Sequence, residues 1–586
     1  MREPACEAHR GRVAWKRSYT SAFVNVKYHL TTSYDDIMQI ASSKSFNGSR
    51  ERGGRLESSI QTSLQRARKF NNAGNEYFKK KKYNQAIIQY SKAITIIDNC
   101  PRRKANINDR MVFYQNRAAA NEQLKKYTDV KADCTKALEL NPRYMKALLR
   151  RARASEQLGD LQAALDDLTT ACIDEHFSNR AINVIADEIL EKLVKQHVQE
   201  NLANKKFTMP SKELVRKYFL AFPNDPILSR LQQPENIPDF FKKPLRALKN
   251  KKYDDIIPLC TEIIQGSEFD ALPSSRLEVL LLRATFYLLL DKHDSAIQDF
   301  ERILNDEDAS VDVKTNVLVK RGDLYMDREN LEMAFKDFEL AINMNPSCSE
   351  IYYHRGLAYW YMDRFYESKH DFEKAVEYNP NFCVGYMQKY YYDYCIRKKM
   401  YDYFITRGMH DFFDIDIPLI IFAEDIKRSF EKFQNFPECS YFYVLYSEIM
   451  ICCREYEKAD TYFVKAIQKD PDNAFIHVHR AMLQLEWKND IDKTVELLNK
   501  ALELDEKCDL AYEALGYIAT KRGNLEEAIR LFDKALILCR TSRELMHIYY
   551  LREGAKLQLK VKNQSDIINI IELFSRFVIN SLISSE

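Results

Sequence analysis

The fold of this chain is decided by the stretch FYQNRAAANEQLKKYTDVKADCTKALELNP (113–142), continued by RYMKALLRRARASEQLGDLQAALDDLTTA (143–171). Two units of 34 residues, counted from Met111 and from Met145, stand in tandem. Each has an alanine at its eighth place, and the spacing of apolar residues and turns is that of a helix, a turn and a second helix. The sequence therefore predicts two helices, A and B, in each unit.

The same spacing recurs along most of the chain. Small residues at places 8 and 20 let helix A approach helix B, and aromatic residues at places 11 and 24 fill the space beside them. Repeats begin near residues 67, 111, 145, 237, 277, 315, 349, 440, 474 and 509, and a degenerate, lengthened repeat covers 383–439. This is the pattern of the tetratricopeptide repeat (TPR). The predicted fold is all-α, a superhelical solenoid of about ten to eleven TPR repeats in two arrays.

Composition agrees with packed helices and argues against several classes of protein. The 586 residues include only 14 Gly and 16 Pro, but 35 Tyr and 32 Phe. The net charge of +3 does not favour a nucleic-acid binder. Thirteen cysteines without metal spacing predict reduced thiols that act as small core residues, and no metal or other cofactor is expected. No catalytic motif is present and the repeats leave no room for a catalytic domain, so we expect no enzyme activity.

The repeats fall into two arrays. Residues 1–60 show no clean period and are expected to be a tail or linker, and 61–204 hold three repeats followed by a capping helix. The stretch 205–240 is richer in proline and is expected to be a hinge, with 241–586 as the C-terminal array. Each array is expected to have a binding site of its own.

The first array presents a groove of amides and cations. Helix A lines the inner face of a TPR superhelix, and because places 4, 7, 8 and 11 pack inward, places 2, 5, 6, 9 and 13 are expected to face the groove. These places hold Asn75, Lys79, Asn116, Lys146, Arg150 and Arg153. Such groups suit an extended peptide with acidic side chains and a free C-terminal carboxylate. The alternative is a merely solvated polar face, which convergence from three consecutive repeats makes the weaker interpretation.

At this point the chain resembles two related groups of proteins. The first array resembles the dicarboxylate-clamp TPR domains that bind the tails of heat-shock chaperones, in three stretches: GNEYFKKKKYNQAI (74–87), FYQNRAAANEQL (113–124) and KALLRRARA (146–154). From about Ser63 to Arg552 the chain is similar to the seventy-kilodalton import receptors of the mitochondrial outer-membrane translocase. This second likeness rests on TMPSKELVRKYFLAF (208–222), LLLRATFYLLL (280–290) and LQLEWKNDIDKTVELLNKALELDEKCDLAYEALG (483–516).

The resemblance implies a site and its partners. In the clamp family five groove positions hold the peptide tail, and four match here: Asn75, Asn116, Lys146 and Arg150. The fifth, usually lysine, is Asn71, and Lys69 and Lys79 are the candidates to replace the missing cation. The implied partners are heat-shock chaperones of the seventy- and ninety-kilodalton classes, mitochondrial precursor proteins and other translocase subunits.

The resemblance also implies a second groove, for precursor proteins, in the C-terminal array. Its candidate residues are four tyrosines: Tyr352, Tyr353, Tyr386 and Tyr390. Aromatic residues in a groove suit an amphipathic helix of a client protein. Core packing is the alternative for each of them.

The implied location is the cytosolic face of the mitochondrial outer membrane. The family carries an N-terminal membrane anchor, but AFVNVKYHL (22–30) is apolar over too few residues to span a bilayer. A segment missing from this sequence, a soluble form and another kind of tether remain open. The rival function is a soluble TPR co-chaperone or scaffold without a membrane role, which membrane fractionation would distinguish.

Overall fold

The computed structural model describes residues 54–99, 106–205, 208–389 and 439–564. These residues form helices and contain no strand, as the repeat pattern predicts. They divide into two compact parts. The N-terminal module comprises the described residues up to Asn204 and those from Tyr549 onward, and the C-terminal module comprises Lys205–Ile548.

The N-terminal module contains three helical pairs and a long seventh helix. Its helices are α1 (Gly54–Lys79), α2 (Tyr83–Asp98), α3 (Ile107–Gln123), α4 (Tyr127–Leu140), α5 (Met145–Gln157), α6 (Leu161–Asp174) and α7 (Arg180–Asn204). Each odd-numbered helix from α1 to α5 packs on the even-numbered helix that follows it, and α7 packs on α6. Residues from the C-terminal end of the chain belong here too, since Asn201 Nδ2 donates to the Tyr549 hydroxyl at 3.2 Å and Lys560 Nζ lies 2.9 Å from Asp166 Oδ1.

The C-terminal module repeats the same pairing. Its α-helices are α8 (Lys212–Leu220), α9 (Pro226–Gln232), α10 (Lys242–Lys249), α11 (Ile256–Ile264), α12 (Arg276–Leu289), α13 (His293–Leu304), α14 (Val311–Asp327), α15 (Leu331–Met344), α16 (Ser349–Tyr361), α17 (Phe365–Tyr378), α18 (Ser440–Cys452), α19 (Tyr456–Lys469), α20 (Ala474–Lys488), α21 (Ile491–Leu504), α22 (Asp509–Lys521), α23 (Leu525–Leu538) and α24 (Ser542–Gln564), the last of which contains the division after Ile548. Short 3-10 helices lie at Pro234–Asn236, Asp239–Phe241, Tyr253–Asp255 and Phe269–Ala271. From α10 to α23, the A helices have even numbers and each packs on the B helix that follows it.

Helices A and B meet at the small residues of place 8. A Cβ added at Gly74 would lie 2.5 Å from Tyr90 Cε1, and one added at Gly322 would lie 2.8 Å from Phe338 Cε1. Real Cβ atoms do not approach a ring this closely, so the aromatic residue at place 24 requires glycine opposite it in these repeats. The predicted packing of small against aromatic residues is confirmed.

The turn between helices A and B has a left-handed residue in each repeat described. It stands at place 15, or one place later in the repeat from 474, which has one extra residue, and its φ lies between 51° and 79°: Lys81, Lys125, Gly159, Lys251, Asp291, Glu329, Asp363, Arg454, Asn489 and Gly523. Because most of these residues are not glycine, the sequence alone did not show which residue of the turn is left-handed. Lys251 shows that the weakly matching repeat near 237 has the same turn as the others.

An ion pair joins place 7 of helix A to place 23 of helix B in five repeats. The pairs are Arg117–Asp133, Arg151–Asp167, Arg283–Asp299, Arg321–Asp337 and Arg355–Asp371, each with a closest N···O distance of 2.7 Å. Three of the arginines also donate from Nη1 to a hydroxyl of the preceding B helix, at Ser91, Thr135 and Thr261. These contacts link neighbouring repeats as well as the two helices of one repeat.

The expectation that every cysteine stays reduced is wrong at one pair. A disulfide joins Cys383 and Cys439, whose Cα atoms are 6.8 Å apart. Because 56 positions separate the two residues in sequence, only the tertiary fold brings them together. Cys134, Cys172 and Cys260 are free and buried, as small core residues should be.

Within the described ranges, no helix has both the length and the apolarity needed to cross a bilayer.

Candidate peptide-binding site

The predicted groove residues of the N-terminal module lie on three A helices that are neighbours in space. α3 contacts both α1 and α5. α1 contributes Asn71, Asn75 and Lys79, α3 contributes Asn116, and α5 contributes Lys146, Arg150 and Arg153. The fold therefore brings amides and cations from three repeats onto adjacent helices.

The amides form a hydrogen-bonded cluster. Asn116 Nδ2 donates to Asn71 Oδ1 at 2.9 Å and to Asn75 Oδ1 at 3.4 Å. The Tyr90 hydroxyl also donates to Asn75 Oδ1, at 2.9 Å. Burial raises the pKa of Tyr90 to about 12, so this hydroxyl keeps its proton at neutral pH. Because Asn75 Oδ1 accepts both bonds, the Asn75 amide NH2 is left to donate to a ligand.

Asn71, the position at which the clamp family usually has lysine, is buried beneath this cluster. It is only 7% exposed, and its amide oxygen accepts from Asn116. Of the two lysines considered as replacements, both are exposed on α1. Lys79 Nζ lies 3.1 Å from Glu76 Oε1, at the edge of an open depression of about 620 Å³ that Asn75 and Phe78 also line.

Two arginines of α5 are arranged around one carboxylate. Arg150 Nε donates to Glu122 Oε2 at 2.6 Å, and Arg153 Nε donates to Glu122 Oε1 at 3.0 Å. Burial raises the pKa of Glu122, but the hydrogen bonds and charges of both arginines outweigh burial and hold that pKa below its ordinary value. Glu122 is therefore ionised at neutral pH.

Lys146, at the start of α5, is exposed. Its backbone carbonyl accepts a hydrogen bond of 3.0 Å from Gln115 Nε2, which ties α5 to α3. In the part of the chain that the structure describes, the Lys146 ammonium makes no ion pair. The site thus offers donors to an acidic ligand, and its three α5 cations outweigh Glu122 in charge.

In the C-terminal module, the residues at the corresponding groove places contact a segment of the same chain that precedes the repeats. We call residues 208–241 the inner segment. Its Arg230 forms a two-bond ion pair with Glu278, at 2.9 and 2.6 Å, and its Asn224 donates to Glu350 from the backbone at 2.6 Å and from Nδ2 at 3.0 Å. Glu278 and Glu350 both stand at place 2 of their repeats. The inner segment therefore occupies positions that a peptide ligand would otherwise contact.

The same contacts continue toward the later repeats. Glu213 of the inner segment accepts from the Tyr441 hydroxyl, and Lys217 Nζ lies 3.5 Å from the centre of the Phe475 ring. Tyr441 and Phe475 are again place 2 residues. Lys212 Nζ donates to the Leu504 carbonyl at 2.8 Å. The stretch 205–240, expected to be a hinge, thus contains α8 and α9 and lies inside the C-terminal module.

Two residues at the centre of the inner segment, Phe222 and Asp225, are buried. Lys320 Nζ, at place 6, lies 2.5 Å from Asp225 Oδ2 and 3.0 Å from Thr285 Oγ1, and both charged side chains have no exposed surface. The Phe222 ring stacks on His354 with centroids 4.3 Å apart, and a ring nitrogen of His354 lies 3.1 Å from the Ala221 carbonyl. These contacts make the inner segment part of the core.

The tyrosines proposed for a precursor groove lie in different surroundings. Tyr352 and Tyr353 are 4% and 5% exposed and belong to the core that also contains Phe222. The Tyr352 hydroxyl donates to the Pro346 carbonyl at 2.7 Å. Tyr386 is half-buried. Tyr390 lies outside the described residues.

Sequence reasoning missed two residues of the N-terminal site. Tyr90 was predicted only to fill space at place 24, and nothing in its spacing shows that its hydroxyl reaches Asn75. Glu122 stands at place 12, which the groove pattern omits, and its partners lie 28 and 31 residues further on. An acidic residue near two arginines of the next repeat was the available signal.

The fold defines a helical-repeat protein of the tetratricopeptide class. Models of the tetratricopeptide repeat match residues 68–100, 315–348, 349–382, 123–175 and 488–542. The mouse mitochondrial import receptor subunit TOM70 is 37% identical over 529 residues, which cover 88% of this chain and 82% of that protein. TOM70 of Saccharomyces cerevisiae is 25% identical over 536 residues, covering 84% and 80%. The crystal structure of yeast Tom70 covers 85% of this chain and 97% of that chain, at 22% identity and a TM-score of 0.47.

The chain belongs to the TOM70 family of mitochondrial import receptors. The predicted family and receptor function are confirmed, and with them the mitochondrial outer membrane as the location. The family is not one of enzymes.

Proposed function

We propose that the N-terminal module binds the acidic C-terminal tails of cytosolic heat-shock chaperones of the seventy- and ninety-kilodalton classes. The observation that carries this proposal is the placement of Asn75, Asn116, Lys146 and Arg150 on three neighbouring A helices. Each matches a tail-binding position of the clamp family. A tail that ends in a carboxylate and carries acidic side chains satisfies these groups with charge-assisted hydrogen bonds.

The two kinds of donor have different tasks in this proposal. The Asn75 amide NH2, left free by Tyr90 and Asn116, donates to a carboxylate or to the peptide backbone. The cations of α5 supply most of the attraction, because a hydrogen bond to a charged group contributes about 1.5–3 kcal/mol. Exposed Lys79 provides the cation that buried Asn71 does not.

The C-terminal module has the second task, to receive mitochondrial precursor proteins for transfer to the outer-membrane translocase. The inner segment already contacts places 2 and 6 in this module, so the client surface uses residues other than buried Tyr352 and Tyr353. Tyr386, which is half-buried, is the tyrosine of the predicted groove that we propose to contact the precursor. A photo-crosslinking amino acid at position 386 should capture a bound precursor, and absence of crosslinks there would argue against a client surface near this residue.

In this scheme, residues 61–204 are the clamp and 1–60 are a tail or linker. The precursor-binding part lies within 241–586, apart from the residues from Tyr549 onward, which belong to the N-terminal module. Exposure of both modules on the cytosolic face follows, because chaperones and newly made precursors meet the receptor there.

The chaperone-tail proposal is tested with the full chain and the peptide SRMEEVD. This HSP90 peptide is bound to the first TPR domain of Spaghetti (RPAP3) in a solved structure, which covers 22% of this chain at 31% identity and a TM-score of 0.19. We expect calorimetric titration to show micromolar binding of the free acid, and at least tenfold weaker binding of the C-terminally amidated peptide, because one ligand charge is lost. Equal binding of both peptides, or of neither, would contradict the proposal.

A further inference from the structure

We infer that Glu122 is a positioning residue of the proposed clamp, which fixes Arg150 and Arg153 by their Nε atoms and leaves their terminal NH2 groups to hold a ligand carboxylate. The inference rests on the proposed function of the N-terminal module. It adds a residue from outside the predicted groove places to the determinants of tail binding.

Glu122 joins two repeats at the groove. Glu122 lies in the last turn of α3, the A helix of one repeat. Both arginines lie on α5, the A helix of the next repeat. One carboxylate oxygen accepts from each arginine, at 2.6 Å for Arg150 and 3.0 Å for Arg153. The side chains of Glu122 and Arg150 are 20% and 19% exposed, so both are largely held in place, whereas Arg153 is 54% exposed.

Glu122 contacts only the Nε atom of each arginine, and this leaves the other donors of the guanidinium available to a ligand. A guanidinium has five N–H donors in a planar fork, one on Nε at its side and two on each of the terminal nitrogens Nη1 and Nη2. In the described residues, the hydrogen bonds of Arg150 and Arg153 are made from Nε to Glu122. The terminal Nη1 and Nη2 atoms of each then offer a pair of parallel donors, the geometry that suits a carboxylate.

Glu122 could instead have the opposite role, in which its carboxylate competes with the ligand carboxylate for the arginines and repels it. Two facts favour positioning. The three cations Lys146, Arg150 and Arg153 leave the site positive after Glu122 is counted. Long side chains also lose freedom when a ligand immobilises them, and prior fixation by Glu122 removes that loss for two arginines at once.

The inference is tested by titrating SRMEEVD and its amidated form into the full chain with Glu122→Ala, Glu122→Gln and Glu122→Asp. Glu139→Ala is the matched control, since Glu139 is an exposed glutamate on α4 that pairs only with Lys136 at 2.8 Å among the described residues. We expect Glu122→Ala to weaken binding of the free acid about five- to tenfold, as two freed arginines must be immobilised again, and the control to leave it unchanged. Glu122→Asp, which keeps the charge but not the reach, should also weaken it, and Glu122→Gln should fall between wild type and alanine.

The ratio of affinities for the two peptides separates positioning from a general loosening of the module. Positioning predicts that Glu122→Ala lowers the preference for the free acid over the amide, with the melting temperature as a check that the module is folded. Equal losses for both peptides, or tighter binding by Glu122→Ala or Glu122→Gln, would overturn the inference. If wild type itself does not distinguish the peptides, the proposed function has failed instead.

Discussion

Replacing Asp225 with asparagine should destabilise the C-terminal module strongly. The change leaves the Lys320 ammonium, which has no exposed surface, without the carboxylate now 2.5 Å away, and the Thr285 hydroxyl at 3.0 Å carries no charge. Removing one partner of a buried ion pair typically costs about 3–5 kcal/mol, because the remaining charge is neither solvated nor paired. We expect a loss of this size in the free energy of unfolding.

Hydrogen exchange read by mass spectrometry measures this loss in the full chain, through the protection of the amides of α14, which carries Lys320. The amides of α3, in the N-terminal module, are the internal control and should keep their protection. The double variant Asp225→Asn with Lys320→Met removes both charges, keeps an acceptor for the Ile227 amide that Asp225 Oδ1 caps at 2.8 Å, and should recover most of the stability. A loss below about 1 kcal/mol in Asp225→Asn would refute the interpretation of the inner segment as a part of the core.

The pH dependence of Asp225→Asn gives a second check. Burial lowers the pKa of Lys320, so the folded state releases the lysine proton more easily than the unfolded state does. Stability of the variant should therefore rise as pH increases toward the ordinary lysine range near 10. A fall in the stability of the variant over this pH range would contradict the interpretation that the buried Lys320 ammonium destabilises it.

Three further substitutions have definite expected outcomes. Gly74→Ala places a Cβ 2.5 Å from the Tyr90 ring; it should cost about 1–3 kcal/mol in thermal unfolding and weaken SRMEEVD binding, because the ring carries the hydroxyl that orients Asn75. Gly159→Ala meets no atom within 4 Å but has φ +79°, so a backbone cost of about 1 kcal/mol should appear without any steric one, and a gain in melting temperature would contradict this. Burial raises the pKa of Asp187 to about 7. Between about pH 4 and 7 the folded state therefore keeps a proton on this carboxyl that the unfolded state has lost, so the stability of the wild type should fall as the pH rises through this range. Asp187→Asn should remove that part of the pH dependence in melting curves, and an unchanged profile would show that this carboxyl does not titrate there.

The repeat pattern predicted the helices because packing of A on B depends on residues close in sequence. Gly74 and Tyr90 belong to one repeat, and their places alone show that they meet. The same register predicted that Asn75, Asn116 and Arg150 would lie on neighbouring helices. Local spacing was sufficient for these features because each repeat contacts mainly its neighbours.

Long-range contacts were beyond such reasoning. Asp225 and Lys320 are 95 residues apart, and the proline-containing sequence around Asp225 is typical of a linker. Nothing in the sequence near Asp225 shows that this segment supplies counter-ions and aromatic side chains to groove positions several repeats away. The left-handed residue at place 15 was hidden as well, since the closing of the turn forces this conformation on Lys125 and Glu329 despite their side chains.

The measurement that tests the clamp most directly is calorimetric titration of the full chain with SRMEEVD, in wild type, Arg150→Ala and the control Arg143→Ala. Arg143 is an exposed arginine of the same module that lies 3.4 Å from Asp174. We predict micromolar binding by wild type and the control, and a loss of about 1.5–3 kcal/mol in Arg150→Ala, the contribution of a charged hydrogen bond. Equal affinity of Arg150→Ala and wild type, or equal losses in both arginine variants, would contradict a carboxylate clamp at this groove.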